Sequence, residues 1–229
     1  MRRIKRLLNA PLRLRTSRGF GVHSPFAFSF ILNVLKQRYS FYSYKNQVKR
    51  TKVARRHTGT VPASSVQHLV FRICNRFRPA VVFEIGHSCG LEAMAVIDSS
   101  TACKVMSYDH RPASPLFEHV TAHCRDRITI EPNFSSSVEE YNRLTTESTP
   151  MVMVNCAENI DTDRDFILSL LRRDGVAVFT NIKRDSVTSG LWEEVNDRLE
   201  SHGMTFTNDR FGVIVGLSHL PRQRYKLWL

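Results

Sequence analysis

The chain has 229 residues, 42% of them hydrophobic, with only 10 Gly and 9 Pro, so it can bury a core of ordinary domain size and is neither fibrous nor of low complexity. Its net charge of +12 is unevenly placed: residues 1–83 hold 18 of the 33 Lys and Arg and none of the 21 Asp and Glu, which leaves residues 84–229 with a net charge of −6. No apolar run approaches the roughly 18 residues of a spanning helix, residues 1–15 lack the apolar stretch of a secretory signal, and five scattered cysteines without a C-x-x-C suit a reducing cytoplasm.

The organisation is a basic N-terminal cap and linker, residues 1–62, followed by a regular α/β domain, residues 63–229. In the cap, Ser24 and Pro25 read as N-cap and first helical residue of an apolar run over 26–35. Residues 49–65 are polar and contain Gly59 and Pro62, which predicts a mobile loop. Helix 65–77 then leads to strand 81–85, helix 91–99 and strand 104–108. The alternation continues with helix 115–124, strand 128–131, helix 137–146, strand 151–154, helix 163–172, strand 176–180 and helix 191–201. Two closing strands, 205–207 and 211–217, have no helix between them and predict an antiparallel finish. Strands alternating with helices predict a Rossmann-like, mostly parallel sheet covered on both faces.

The most informative segment is Val81 to Gly90, a strand running into a turn that opens a helix. Ligands of such sheets bind beyond the carboxyl ends of the strands, at the switch in strand order. Gly86 and Gly90 let the backbone approach a ligand across the turn that also holds His87 and Ser88, and the following helix presents free N–H groups. The spacing is E-x-G-x-x-x-G: Glu84 would repel a pyrophosphate but can accept hydrogen bonds from an ammonium. Asp109, at the end of the next strand, is placed to receive both hydroxyls of a ribose. An acid for an ammonium and an acid for a ribose describe S-adenosylmethionine.

Beyond this site, the string Gly19 to Phe28 (GFGVHSPFAF), the stretch Phe71–Leu91, the segment Trp192-Glu193-Glu194-Val195 and the closing Phe211-Gly212-Val213 are distinctive. On them the chain resembles the class I S-adenosylmethionine-dependent methyltransferases, and within them an O-methyltransferase-like branch of Bacteroidetes type. The resemblance implies a seven-stranded sheet whose last strand is antiparallel, a bacterial protein, and methyl transfer to an acceptor above the cofactor. It also implies that Glu84, Gly86 and Gly90 form the first cofactor motif, that Asp109 binds the ribose, and that Asn133 borders the adenine, although Pro132 stands where the family has Gly. Asn155 follows the fourth strand on the cofactor side.

Asn155, Thr180 and Asn181 stand where metal-dependent members carry carboxylates, so no metal site is expected there. No catalytic residue is assigned. Glu158, Asp161, Lys183 and Asp185 are read as loop charges, Cys89 as a small turn residue, and His119 and His123 as an i, i+4 pair on a surface helix without a third ligand. The expected acceptor is a small molecule, at oxygen. A catalytically degenerate binding protein and a nucleic-acid methyltransferase stand as alternatives. Residues 1–56, with interleaved cations and aromatics, admit three roles: packing on the core, docking an anionic nucleic acid or membrane surface, or recognising substrate. In the membrane case, Ile4, Leu7 and Leu8 beside Arg2, Arg3, Lys5 and Arg6 would form an amphipathic helix.

Overall fold

The structure is a computed structural model that describes residues 10–59, 61, 63–199 and 202–229. The candidate amphipathic segment 2–8 and Pro62 of the expected linker lie outside these residues. Among the described residues no helix is long and apolar enough to cross a membrane.

Eight strands form one sheet: β1 (Val81–Ile85), β2 (Lys104–Tyr108), β3 (Ile128–Glu131), β4 (Met151–Val154), β5 (Val176–Phe179), β6 (Met204–Thr207), β7 (Gly212–Val215) and β8 (Gln223–Lys226). Their order is β3-β2-β1-β4-β5-β7-β6-β8. Strands β1 to β5 run parallel, and β7 is antiparallel to both β5 and β6. This is the expected Rossmann-like sheet with one strand more than the seven foreseen. The addition, β8, pairs parallel to β6, and its alternating half-buried and exposed residues (QRYK) carry no apolar signal.

Strand alternation sorts side chains onto two faces. Val82, Met151, Met153, Val176 and Val178 point into one apolar layer, while Val81, Phe83, Ile85, Val152, Val154 and Phe179 point into the other. α1 (Ala10–Thr16) lies against β8, and the first layer is covered by α2 (Pro25–Phe30, continued by a π-helical turn, Ile31–Leu35), α3 (Tyr44–Thr58), α4 (Ser64–Phe77), α5 (Leu91–Ser99) and α6 (Pro115–Thr121). The second is covered by α7 (Phe134–Leu144), α8 (Ile160–Leu171) and α9 (Ser186–Arg198). Three of the predicted starts were late because a side chain caps the helix earlier: Asn133 accepts from Ser136 N, Asn159 from Asp161 N, and Asp185 from Thr188 N.

The segment expected to be a mobile loop is instead the second half of α3, which runs unbroken to Thr58 and is closed by Gly59 at φ +72°. After Tyr44 its buried side is polar or small, namely Gln47, Thr51 and Ala54, so it lacks the apolar stripe that periodicity detects. Gln67 Nε2 donates to Thr51 Oγ1 at 2.7 Å, and Asp98 on α5 accepts from Gln47 and pairs with Arg50. The basic segment shares the core of the sheet: Phe30 meets Phe206 of β6 at 4.9 Å between centroids, and Ile31, Val34 and Leu35 are buried in the same layer. Arg72 of α4, 8% exposed, closes this layer by donating to the carbonyls of Val34 and Leu35 and to the Tyr44 hydroxyl. Arg72→Met leaves those carbonyls buried without donors, and is expected to lower unfolding free energy by about 2–4 kcal/mol in urea denaturation.

Candidate functional site

The side chains that define the site lie at the carboxyl ends of β1, β2, β4 and β5. Sheet register collects them: Glu84 is level with Ser107 of β2, and Val154 with Phe179, which makes Asn155 and Thr180 neighbours. By alternation Glu84, Ser107, Asn155 and Thr180 fall on the face covered by α5. Glu84 has no solvent exposure. It accepts from Ser107 Oγ at 2.5 Å and from Asn155 Nδ2 at 2.7 Å. Asn155 Nδ2 also donates to Gly86 O at 3.0 Å, and Asn155 Oδ1 accepts from Thr180 Oγ1 at 2.8 Å. Burial raises the Glu84 pKa to about 8; its two donors oppose that shift, and nearby Glu92 and Asp109 add to it.

Strand β1 passes into α5 through Gly86, Ser88 and Gly90, all in the left-handed region at φ +77°, +48° and +78°. A Cβ at Gly86 would stand 2.6 Å from the Cys156 carbonyl, so only glycine fits there. Ser88 holds the same kind of conformation with a side chain, at a cost of about 1 kcal/mol. The turn therefore has three left-handed positions where the sequence offers only two glycines. Cys89 is pushed by burial to a pKa of about 11 and stays a neutral thiol, as suits a turn residue.

Asp109 is 4% exposed at the end of β2. It accepts from the Arg111 backbone N and Nε at 2.9 Å and from Nη2 at 3.0 Å. Burial raises its pKa, but the Arg111 hydrogen bonds and the charges of His87 and Arg111 outweigh burial and bring it below the usual value. His87, 3% exposed, has Nε2 3.9 Å from Asp109 and Nδ1 without a hydrogen-bond partner among the described residues.

His87, Ser88, Asp109, Asn155 and Thr180 line a cavity of about 1640 Å³, whereas Glu84, Gly86 and Gly90 lie behind its wall and do not line it. Its wall adds groups that no motif announced: Glu92, Arg111, Arg184 and Arg210. Glu92 is 1% exposed, and neither carboxylate oxygen has a hydrogen-bond partner among the described residues. Burial lifts its pKa to about 7 against the opposing charge of Arg184. Glu92 escaped the sequence reading because it looks like an ordinary acid in a first helical turn.

Asn133 is exposed, caps α7 and does not line the cavity. Of the loop charges, Asp185 caps α9, Asp161 pairs with Arg164, and Glu158 bonds to His110 and lies 3.4 Å from Arg111; Lys183 is exposed. Asp109, His110 and Glu158 offer a cluster of cation-binding atoms, but the Arg111 guanidinium already lies between the two acids. His119 and His123 do not share an α-helical face: α6 ends at Thr121 and a 3-10 turn, Ala122–Cys124, carries His123.

No family model matches the chain, and no curated protein matches it. Solved structures share its fold. The S-adenosylhomocysteine-bound methyltransferase PaMTH1 of Podospora anserina aligns with 86% of this chain and 97% of its own at 11% identity and a TM-score of 0.51. The O-methyltransferase TomG of Streptomyces achromogenes, solved with S-adenosylmethionine, aligns with 79% and 92% at 13% identity and a TM-score of 0.54. The O-methyltransferase of Bacillus cereus, solved with S-adenosylhomocysteine, aligns with 82% and 96% at 13% identity and a TM-score of 0.50. The chain thus has the fold of the class I methyltransferases.

Two outcomes follow from the Glu84 network. Asn155→Asp replaces an amide donor 2.7 Å from Glu84 by a second carboxylate. It should destabilise the protein by about 1–3 kcal/mol, with the loss in thermal denaturation greater at pH 8 than at pH 5 because raising the pH strips the shared proton. Glu84 itself binds a proton more tightly folded than unfolded, its pKa rising from 4.5 to about 8. Its stabilising contribution is therefore complete below pH 4.5 and lost as the pH climbs through 8. A Glu84→Gln variant should show a shallower decline of melting temperature across that window.

Proposed function

We propose that this protein is an S-adenosylmethionine-dependent methyltransferase that acts without a metal ion on the oxygen of a small-molecule acceptor. The observation that carries the reading is the buried Glu84 carboxylate, joined by Asn155 of the cavity wall to the close-approach glycine Gly86, with a second buried acid, Asp109, at the next strand end. The sharing of the fold with methyltransferases solved with the cofactor or its product supports it.

The residues fit the cofactor. Glu84 keeps acceptor capacity beyond its bonds to Ser107 and Asn155, and would take hydrogen bonds from the amino group. The orphaned oxygens of Glu92 and Nδ1 of His87 are buried polar atoms in the cavity wall for a bound molecule to satisfy. Asp109 would receive the ribose hydroxyls. Arg111 fills three of the roughly four acceptor positions of that carboxylate, so the guanidinium, half-exposed, would swing outward as the diol enters. Asn133 would act on the adenine side only through the start of α7, which it caps.

When bound, S-adenosylmethionine supplies an electrophilic methyl group. The chain supplies position: a fixed sheet edge on one side and, on the other, Asn181, Arg184 and Arg210, which border the space left for an acceptor. Asn155 is engaged at both ends of its amide and Thr180 donates to it, so this pair braces Glu84. A neutral pair suits that bracing and offers no charge for a hard divalent ion.

The loss of acids at 155, 180 and 181 also favours a second reading, a binding protein that keeps the cofactor site without turnover. Titration calorimetry with S-adenosylhomocysteine tests the shared claim. Binding is expected, and Asp109→Ala should weaken it about 10- to 100-fold by removing charged acceptors for two hydroxyls. A folded protein with no heat of binding at millimolar ligand overturns the cofactor site. Binding without formation of S-adenosylhomocysteine across acceptor panels and cell extract favours the second reading.

A further inference from the structure

The stretch expected to be a linker is a structured helix that carries a stripe of cations along its outer face. On α3, Lys45, Lys49, Lys52 and Arg56 are all exposed. At 100° per residue these four fall within about 60° of arc, and the stripe runs about 16 Å along the axis. None of the four meets an acid among the described residues, whereas Arg50, on the flank of the helix, is paired with Asp98. The opposite side of α3, carrying Tyr44, Gln47, Thr51 and Ala54, is buried, so the helix cannot turn its cations elsewhere.

Two further observations lie at the ends of the stripe. Just before the helix, Tyr39 and Tyr42 are 81% and 83% exposed, and Tyr42 is held beside the helix by a hydrogen bond from its hydroxyl to Asp98 O at 3.4 Å. At the far end, His57 and Thr58 form part of the cavity wall, where the His57 ring lies 5.8 Å from that of His119. The stripe therefore leads from a pair of exposed aromatic rings to the mouth of the cavity.

We infer that α3 is a docking surface for single-stranded nucleic acid, with phosphates on Lys45, Lys49, Lys52 and Arg56 and a base stacked on Tyr42. Unpaired cations in register along one face fit a polyanion, and exposed rings at the end of the stripe fit bases free to unstack. A membrane surface is the poorer fit. A helix that lies on lipid inserts an apolar face between its cations, and the non-cationic side of α3 is already packed against α4 and α5. This inference does not rest on the cofactor reading, since the stripe lies outside the Glu84 and Asp109 constellation.

The test is fluorescence anisotropy of the full chain with labelled oligo(U) and oligo(dT), and with a duplex of mixed sequence, across a salt series. With four phosphates engaged, the affinity for the single strands should fall about fifty-fold between about 50 and 200 mM salt. The variant K45E/K49E/K52E/R56E should lose that binding and its salt dependence, Tyr42→Ala should weaken it, and the duplex should bind less tightly than either single strand. Unchanged far-ultraviolet dichroism and melting temperature verify that the variant is folded, and the single substitutions Lys49→Ala and Lys52→Ala, each reducing the salt slope, serve if it is not. Binding that survives charge reversal in a folded protein, or that prefers vesicles of phosphatidylcholine and phosphatidylserine to every oligonucleotide, overturns the proposal. Failure of S-adenosylhomocysteine to bind leaves this result intact, so the two claims are separable.

Discussion

Glu84 is a carboxylate placed where water cannot reach it, near the carboxyl end of β1, the middle one of the five neighbouring parallel strands. A charge buried in this way is costly unless donors meet it, and here the donors come from the chain at the ends of the adjacent strands. Ser107 arrives from β2 on one side and Asn155 from the end of β4 on the other, with Thr180 after β5 fixing the Asn155 amide from behind. The chain at the end of three neighbouring strands is thus committed to one acid. Even so, burial outweighs these donors and raises the Glu84 pKa to about 8.

The same constraint explains the neighbouring backbone. For β1 to turn sharply above its own carboxyl end, the chain must pass within contact of the Cys156 backbone, and Gly86 permits it. Ser88 accepts a strained conformation in the same turn, a cost that surrounding structure must over-determine and that is commonly kept at ligand sites. Asp109 shows a different solution to the same problem of a buried acid. Arg111, two residues on, neutralises it from the solvent side, and a partner that is half-exposed can be displaced in a way that Ser107 and Asn155 cannot.

On the far side, the basic N-terminal segment is not an appendage lying loosely on a finished domain. Phe30, Ile31, Val34 and Leu35 complete the apolar layer above β6 and β7, Lys36 Nζ donates to Trp228 O at 2.9 Å, and Trp228 N donates to Ser17 Oγ at 2.7 Å. Packing consumes one side of this segment and leaves the other cationic, which is how the charge excess of residues 1–83 becomes a patterned surface. The residues of the stripe are spread over a helix built on polar and small contacts, so their alignment depends on hydrogen bonds such as Gln67 to Thr51 rather than on apolar burial.

The sequence by itself determined the sheet, because buried parallel strands such as VVFEI and MVMV must read as short apolar runs and the helices between them as amphipathic. It also placed Glu84 and Asp109 at strand ends and Gly86 and Gly90 in the turn after β1, because strand ends and glycine turns are local features of the chain. It did not disclose β8, whose pairing depends on the prior position of β6, or the second half of α3, whose buried face is not apolar. Nor could it tell that Asn155 serves Glu84 or that Glu92 lines the cavity without a partner among the described residues. Those assignments depend on which strands lie side by side and which loops meet above them. A contact between residues 71 positions apart, such as that of Glu84 with Asn155, is decided by the order of strands in the sheet and only tertiary structure fixes it.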